Sequence, residues 1–266
     1  MASKKSTRKT RAKEKAETLQ QIEEGLIPDE EIFMTSNPIK NIVKINEFNW
    51  TENQKAFFKL ALDPNTRIVF VSGPAGSSKT LLSVYCGLKL LNMRVISDIM
   101  YIRSAVESSD AKLGFLPGSA EDKLRFYNLP FLDKLDELLK STRPEKLEEQ
   151  NRISMFPVNF ARGMNWNGKC IILDEAQNCT EKEIVTVLTR MGKGCKCFIL
   201  ADPMQTDLRG EYNQGAFEEL CNIFGDEESA EHGISSFKFT EEDIMRSKLV
   251  KYLIKKLNNS KKEKKK

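Results

Sequence analysis

Histidine and closely spaced cysteine pairs are scarce in this chain of 266 residues. His232 is the only histidine, and none of the six cysteines belongs to a C-x-x-C pair. A zinc site built from cysteine and histidine would therefore have too few ligands at a suitable spacing. Free, buried thiols in a reducing cytoplasm explain the cysteines better. The cysteines are Cys86, Cys170, Cys179, Cys195, Cys197 and Cys221.

Long apolar runs are also lacking. No stretch of about twenty apolar residues exists that would cross a membrane, and no apolar signal-peptide segment follows the basic N-terminus. We therefore expect a cytoplasmic protein with no membrane partner. The length suits one large α/β domain and is too short for two complete domains of that kind.

Positive charge is concentrated at the two ends of the chain. Residues 1–16 and 255–266 each contain seven basic residues and one acidic residue, whereas the whole chain has a formal net charge of only +4. Such segments either bind a nucleic acid or another polyanion or act as solubilising tails, and composition leaves both interpretations open. We predict a disordered basic arm over residues 1–40, a folded domain over 41–257 and a lysine-rich tail over 258–266.

Strand-like and helix-like segments alternate between the two tails. Thr51 and Gln54 have the spacing of a capping box, which predicts a helix that extends to about Leu62. The alternation predicts an α/β fold with a mostly parallel sheet and helices on both faces. Between the second and third strands, the apolar spacing suggests helical packing only. The predicted strands cover residues 68–72, 98–102, 170–175 and 197–202 and a short segment around 237–239, and further helices cover 79–91, 181–192 and 241–257.

The most informative motif follows the first predicted strand. Residues 68–80 fit a strand that leads into the pattern G-x-x-x-x-G-K-S/T, whose backbone N–H groups surround a phosphate. Lys79 would contact the outer phosphates, and the Thr80 hydroxyl would bind Mg²⁺. Ser78 replaces the second glycine of the pattern, so its Cβ either crowds the phosphates or requires an unusual backbone conformation. The predicted nucleotide-binding loop consists of Gly73, Pro74, Ala75, Gly76, Ser77, Ser78, Lys79 and Thr80.

Two carboxylates and one amide follow later strands. Asp174 and Glu175 end one predicted strand, and Gln205 comes shortly after the next. Because ligands bind at the carboxyl ends of parallel strands, we expect these side chains to converge with the phosphate loop. Asp174 would hold Mg²⁺ through its water shell, and Glu175 would orient and deprotonate the attacking water. Simpler alternatives are a helix N-terminus for the acidic pair and an ordinary turn for the segment before Gln205.

Gln54 and Arg246 each have two interpretations. The capping box is a sufficient reason for a glutamine at position 54, and contact with an adenine base is the alternative. Arg246 lies in the last predicted helix, where it is either a solvated surface arginine or a finger that completes the site of a neighbouring subunit. An arginine finger supplies a large share of the rate in some nucleotide hydrolases.

These motifs resemble the PhoH family of ATPases, whose core is similar to the first RecA-like domain of superfamily 1 helicases. The most specific similarities are the L-G-F-L-P-G run at residues 113–118 and the L-D-E-A-Q-N run at residues 173–178. Together with the other matching segments they follow the family order over about residues 51–257. The sequence departs from the family pattern at Ser78, where glycine is usual, and at Ser104, where proline is common.

The resemblance implies a P-loop NTPase fold with a RecA-like sheet. It also implies adenine contact by Gln54, phosphate sensing by Gln205, an arginine finger at Arg246 and self-association in a ring, most often a hexamer. We therefore predict an ATPase that uses Mg²⁺ and acts, as a homo-oligomer, in the binding or unwinding of single-stranded RNA or DNA. Unwinding would require a ring, because helicase motors alternate between two RecA-like lobes and this chain has room for one.

A different class of function also fits the sequence. In this alternative, Ser78 slows hydrolysis, and ATP only switches the shape of a binding surface. A small-molecule kinase fits less well, because no acceptor-binding motif or basic lid is evident. Turnover with and without single-stranded RNA discriminates between an ATPase and a switch.

Overall fold

A computed structural model describes residues 42–104, 120–205 and 216–244 and the positions 249, 252 and 256, with the backbone alone for 120–127. The helices are α1 (Glu52–Leu62), α2 (Lys79–Asn92), α3 (Ala120–Leu138), α4 (Pro144–Glu149), α5 (Glu181–Leu188), α6 (Ala216–Ile223) and α7 (Glu227–Glu231). The strands are β1 (Ile68–Ser72), β2 (Asp98–Arg103), β3 (Ile153–Pro157), β4 (Lys169–Asp174), β5 (Lys196–Ala201) and β6 (Ile234–Lys238). Short 3-10 helices cover Val158–Ala161, Ala176–Asn178 and Glu241–Asp243.

The six described strands form one sheet in the order β3-β2-β4-β5-β1-β6. Every neighbouring pair is parallel. Parallel neighbours need crossover connections, and helices lie between successive strands along the chain, except between β3 and β4, which only a 3-10 helix separates. The predicted α/β fold with a parallel sheet is therefore confirmed.

Helices cover both faces of this sheet. Along β1, Val69 and Val71 belong to one buried cluster, and Phe70 belongs to the cluster on the other face, as the two-residue period of a strand requires. The first cluster contains Phe57 of α1 and apolar residues of α2 and α3. The second contains Phe217 of α6 and apolar residues of α5. Burial of both faces explains why the central strands are almost continuously apolar.

The edge strand β3 was not predicted from the sequence. It pairs with β2, and three of its five residues are only partly buried. A strand at the edge of a sheet pairs on one side only and needs no long apolar run. The sequence of β3 therefore has little to distinguish it from the helical segments on either side.

Two predicted helix limits differ from the structure. The helix α5 begins after the Thr180 capping box as predicted but ends at Leu188, because the chain then turns back toward the loop before β4. In that turn the Gly192 N–H donates to the Trp166 carbonyl at 2.6 Å. Thr240 caps the 3-10 helix Glu241–Asp243, and most of the predicted helix up to residue 257 lies outside the described residues.

Several sequence predictions fall outside the part of the chain that the structure describes. They are the basic arm over residues 1–40, the tail over 258–266, the run at 113–118 and Arg246. The cysteines are all described and unpaired, and five of the six are buried. Within the described ranges, no helix is both long and apolar enough to span a bilayer.

Candidate functional site

The carboxyl ends of β1, β5 and β4 meet in one cleft of about 360 Å³. These strands are consecutive in the sheet, so the loops that follow them are brought together although they are far apart in sequence. The cleft is lined by the phosphate loop, by the acidic pair after β4 and by the segment after β5. Its volume is in the range of small-molecule sites. The lining residues include Ala75, Gly76, Ser78, Lys79, Thr80, Asp174, Glu175, Gln177, Asp202 and Gln205.

The loop Gly73–Ser78 has a conformation that requires small residues. Gly76 has φ +81°, and Ser78 has φ +64° and ψ +20°, which is the left-handed region. Ser78 therefore adopts a left-handed backbone that glycine adopts without strain and that costs about 1–2 kcal/mol for a residue with a Cβ. A Cβ at Gly73 would lie 2.7 Å from the Phe239 Cβ, so this position allows only glycine without a rearrangement.

Lys79 begins α2 and bends back over the loop. Its Nζ donates to the Gly73 carbonyl at 2.7 Å and to the Pro74 carbonyl at 3.1 Å. Burial lowers the pKa of Lys79, and the nearby carboxylates of Asp202, Asp174 and Glu175 oppose this effect. The ammonium group is therefore held among anionic groups at the mouth of the loop.

Asp174 ends β4 and is held in place by three donors. Its Oδ2 accepts from the Thr80 hydroxyl at 3.0 Å and from the Tyr101 hydroxyl at 2.9 Å, and its Oδ1 accepts from the Glu175 N–H at 3.0 Å. Tyr101 is fully buried and stacks on Phe131 of α3 with ring centroids 4.6 Å apart. The carboxylate and the Thr80 hydroxyl therefore lie together at the start of α2.

Glu175 has an unusual backbone and a perturbed carboxyl group. Its φ is +56°, and its side chain remains 39% exposed in the cleft. Burial and the Asp174 charge raise the pKa of Glu175, whereas the Gln177 hydrogen bond and the Arg103 and Lys79 charges lower it. The Gln177 Nε2 donates to Glu175 Oε2 at 2.6 Å, and Arg103 Nη2 lies 3.9 Å from Oε1.

Gln205 lines the cleft with an exposed side chain. Its N–H donates to the Asp202 carbonyl at 2.9 Å, in a turn that the Asp202 side chain also stabilises by accepting from the Met204 N–H at 3.0 Å. The ordinary turn considered for this segment is thus present, and it brings Gln205 to the same cleft as Lys79 and Glu175.

Gln54 is fully buried and does not line the cleft. Its Oε1 accepts from the Thr51 N–H at 3.0 Å, which completes the capping box, and its Nε2 has no hydrogen-bond partner. Nearby, Asp243 accepts from Asn53 at 2.6 Å and from the Thr240 N–H at 2.8 Å, which ties the start of α1 to the last described turn. An unpartnered buried amide is costly, so a ligand atom that accepted from it would be stabilised.

An aromatic wall at the edge of the cleft was not predicted as part of the site. Phe48 and Trp50 line it, with ring centroids 5.0 Å apart, and Trp50 packs edge-on against Tyr85 at 5.1 Å. Aromatic residues before a helix resemble ordinary core residues in a sequence, so only their position near the phosphate loop could have indicated them. Gln177 was also missed as a site residue, although its motif had been noted.

The donor set is suited to a magnesium ion that is shared with phosphates. No group of three or more His, Cys, Asp or Glu side chains capable of holding a metal occurs among the described residues. Mg²⁺ is commonly held by one or two protein oxygens together with substrate phosphates and waters. The Thr80 hydroxyl and the Asp174 carboxylate fit this requirement, since they lie 3.0 Å apart beside the phosphate loop.

Comparison with known proteins points to one family. The model of the PhoH-like protein family matches residues 48–258. A PhoH-like protein of Bacillus subtilis is 36% identical over 190 residues, which are 70% of this chain and 57% of that protein. A PhoH-like protein of Mycobacterium tuberculosis is 34% identical over 204 residues, which are 77% of this chain and 56% of that protein. The chain thus spans about half the length of the curated relatives it matches.

A solved structure gives a much weaker similarity. The flagellar accessory protein FlaH from Methanocaldococcus jannaschii has 9% sequence identity and a TM-score of 0.26, with 80% of this chain and 76% of that chain covered. This TM-score is too low to indicate a shared fold. The sequence relationship is decisive instead: because the family model matches most of this chain, the chain belongs to the PhoH-like protein family.

Proposed function

We propose that this protein binds ATP with Mg²⁺ in the cleft and hydrolyses its terminal phosphoanhydride bond. Membership of the PhoH-like family implies a nucleotide-binding, ATPase-like protein. The observation that carries the finer proposal is the contact between Thr80 and Asp174 beside Lys79, because it joins a hydroxyl, a carboxylate and a phosphate loop at one point. That combination suits a triphosphate with its metal.

The loop and its lysine would bind the phosphates. Backbone N–H groups at the start of α2 would face a bound phosphate, together with the positive end of the helix dipole. Lys79 would exchange its hydrogen bonds to the Gly73 and Pro74 carbonyls for the outer phosphate oxygens. Thr80 and Asp174 would hold Mg²⁺, which neutralises charge on the phosphates when it is bound.

Glu175 would orient the attacking water and accept its proton. Its carboxyl lies in the cleft with one oxygen bonded to Gln177, and its pKa is raised by burial and by Asp174, which increases its basicity. Gln205 would sense the terminal phosphate from the neighbouring loop. Water attack on the γ-phosphorus releases ADP and phosphate, with the proton taken up at Glu175.

The aromatic wall and Gln54 would bind the base. Phe48 and Trp50 offer ring faces at the edge of the cleft, and the unpartnered Gln54 Nε2 offers a donor that an adenine nitrogen would satisfy.

We also propose that 41–257 is the working unit, that the protein assembles as a ring, and that Arg246 acts as a finger in the neighbouring site. Single-stranded RNA or DNA bound by the basic arms is part of this proposal.

A slow nucleotide-dependent switch is the second candidate. The left-handed backbone of Ser78 favours it, because a side chain in this position of the loop narrows the space beside the phosphates. In this case Mg-ATP binds tightly and turnover stays low with or without a nucleic acid.

Steady-state hydrolysis of ATP tests the two candidates. We expect Mg²⁺-dependent turnover by the full chain, which Lys79→Ala abolishes and which the exposed control Lys55→Ala leaves unchanged. Added single-stranded RNA or DNA should raise the rate. Deletion of residues 1–16 and 255–266 should lower this stimulation, weaken the binding of RNA or DNA and flatten the salt dependence of that binding. ATP binding without turnover would favour the switch, and a Lys79→Ala variant with parental binding and turnover would exclude this loop as the site.

A further inference from the structure

Gln177 joins two parts of the site that come from different strands. It lies in the 3-10 helix Ala176–Asn178 after β4 and is 3% exposed. Its Nε2 donates to Glu175 Oε2 at 2.6 Å, and its Oε1 accepts from the Asp202 N–H at 3.0 Å, just beyond the end of β5. The same Nε2 lies 3.5 Å from the Gln205 carbonyl.

The side-chain amide of Gln177 satisfies the Asp202 N–H and the Glu175 carboxylate at the same time. A planar carboxamide presents a donor and an acceptor on the same group, which a carboxylate or an ammonium does not. The buried Asp202 N–H needs an acceptor, and the Glu175 carboxylate gains a donor. Each partner therefore fixes the orientation of the amide for the other.

Glu175 has little else to fix its side chain. The backbone at this position is left-handed, the side chain is partly exposed, and Arg103 Nη2 lies 3.9 Å from the other carboxylate oxygen, which is too long for a strong hydrogen bond. The hydrogen bond from Gln177 uses Oε2 and leaves Oε1 on the opposite side of the carboxylate. Gln177 thus occupies one oxygen of Glu175 and leaves the other, which faces Arg103, for a further donor.

We propose that Gln177 is the positioning residue for this reaction: it holds the Glu175 carboxylate in place and couples it to the Asp202–Gln205 segment. The inference rests on the proposed ATPase function and adds to it a physical connection between the base and the phosphate-sensing loop. A movement of Gln205 toward the terminal phosphate shifts the Asp202 turn, and the amide carries that shift to Glu175. Gln177 acts through Glu175 and needs no contact with the nucleotide.

Two substitutions separate the two hydrogen bonds of the amide. Gln177→Met keeps the length and removes both bonds, whereas Gln177→Glu keeps an acceptor for the Asp202 N–H but loses the donor and adds a like charge beside Glu175. We expect both variants to lower kcat by about 10- to 100-fold, as misplacement of a catalytic group does. The affinity for a non-hydrolysable ATP analogue with Mg²⁺ should stay within about twofold, because the binding groups are untouched. The matched control Gln150→Met, at an exposed position after α4, should keep the parental kcat.

A double-mutant cycle with Glu175→Gln distinguishes positioning from general stability. If Gln177 acts through Glu175, Gln177→Met should lower the residual rate of the Glu175→Gln variant by less than about twofold. A loss as large as in the parental background would overturn the inference, and so would parental kcat in both Gln177 variants. Absence of turnover by the full chain above the level of Lys79→Ala would overturn the proposed function together with this inference. If Gln177→Met does not fold, as judged by thermal unfolding, Gln177→Glu completes the cycle.

Discussion

At the scale of single residues, the site contains two side chains on left-handed backbone. Ser78 and Glu175 have φ of +64° and +56°, and each follows directly from the end of a strand or loop that enters the cleft. Such conformations are retained where the surrounding structure imposes them, and they are frequent at functional sites. Here they direct the start of α2 and the Glu175 carboxyl toward the same space.

Replacement of Ser78 by glycine should remove strain from the loop. We expect Ser78→Gly to raise the free energy of unfolding by up to about 1 kcal/mol, because relief of the left-handed strain exceeds the entropy that glycine adds to the unfolded chain. Turnover or ATP affinity should rise as well. Arg94→Gly is the control, since its φ is +63° in a turn outside the cleft, and it should leave turnover unchanged. A lower rate in the Ser78→Gly variant would mean that the serine is an adapted part of this site.

Glu175→Gln should separate binding from chemistry. The amide keeps the shape of the side chain but cannot accept the proton of a water molecule, so we expect turnover to fall by about 100-fold or more while Mg-ATP remains bound. Single-turnover hydrolysis and equilibrium binding of the nucleotide measure the two effects. Glu145→Gln, in the exposed first turn of α4, is the matched control. Parental turnover in Glu175→Gln would place the base elsewhere.

At the scale of elements, a buried lysine connects the turn after α1 to the start of β5. Lys196 is 2% exposed, and its Nζ donates to the Thr66 carbonyl at 2.7 Å and to the Asp63 carbonyl. Burial lowers the pKa of Lys196 from 10.5 to about 8, and the Arg67 charge acts in the same direction. The Lys196 amine can donate to both carbonyls whether it is charged or neutral. Deprotonation therefore removes the cost of burying a charge and keeps both hydrogen bonds.

The pH dependence of stability should reveal this lysine. Because its pKa is lower in the folded than in the unfolded protein, the unfolded chain binds more protons between about pH 8 and pH 10.5, and stability rises with pH in that window. We expect the free energy of unfolding of the parent, relative to Lys196→Met, to increase by up to about 3 kcal/mol across this range. Urea denaturation at several pH values measures it. If the difference in the free energy of unfolding between the parent and Lys196→Met stayed constant with pH, the lowered pKa of Lys196 would be contradicted.

The motif-bearing elements were the predictable part of the fold. The capping boxes at Thr51 and Thr180, the apolar strands and the strand–loop–helix order over residues 68–80 all rest on local sequence rules, and the structure contains each of them. The strand β3 depends on pairing with β2, and the contacts of Gln177 depend on the neighbouring β5, so neither leaves a local signal. The convergence of Lys79, Asp174 and Gln205 was predictable, because the carboxyl ends of parallel strands lie at the same edge of the sheet. The hydrogen bonds that residues near them form were not predictable.

At the scale of the whole molecule, assembly decides whether the proposed site is complete in one chain. If Arg246 completes the site of a neighbouring subunit, Arg246→Ala protein mixed with Glu175→Gln protein should regain part of the parental activity through mixed interfaces. Each variant alone should stay at a low rate, because every site then lacks one group. Turnover of the mixture, measured beside sedimentation with ATP present, checks this expectation. Sedimentation as a monomer with ATP, together with no recovery on mixing, would contradict the ring.

The position of β1 in the sheet has a consequence for how the chain reaches its folded state. Ile68 pairs with Cys197 on one side and with Ile234 on the other, so both neighbours of the phosphate-loop strand come from the distant second half of the sequence. Contacts of such long sequence separation form slowly, because a large loop must close before they are gained. During synthesis on the ribosome, β1 could pair with its neighbours in the sheet only after most of the domain had been synthesised. A chain truncated before β5 would therefore expose β1 with neither partner and offer its apolar edge to aggregation.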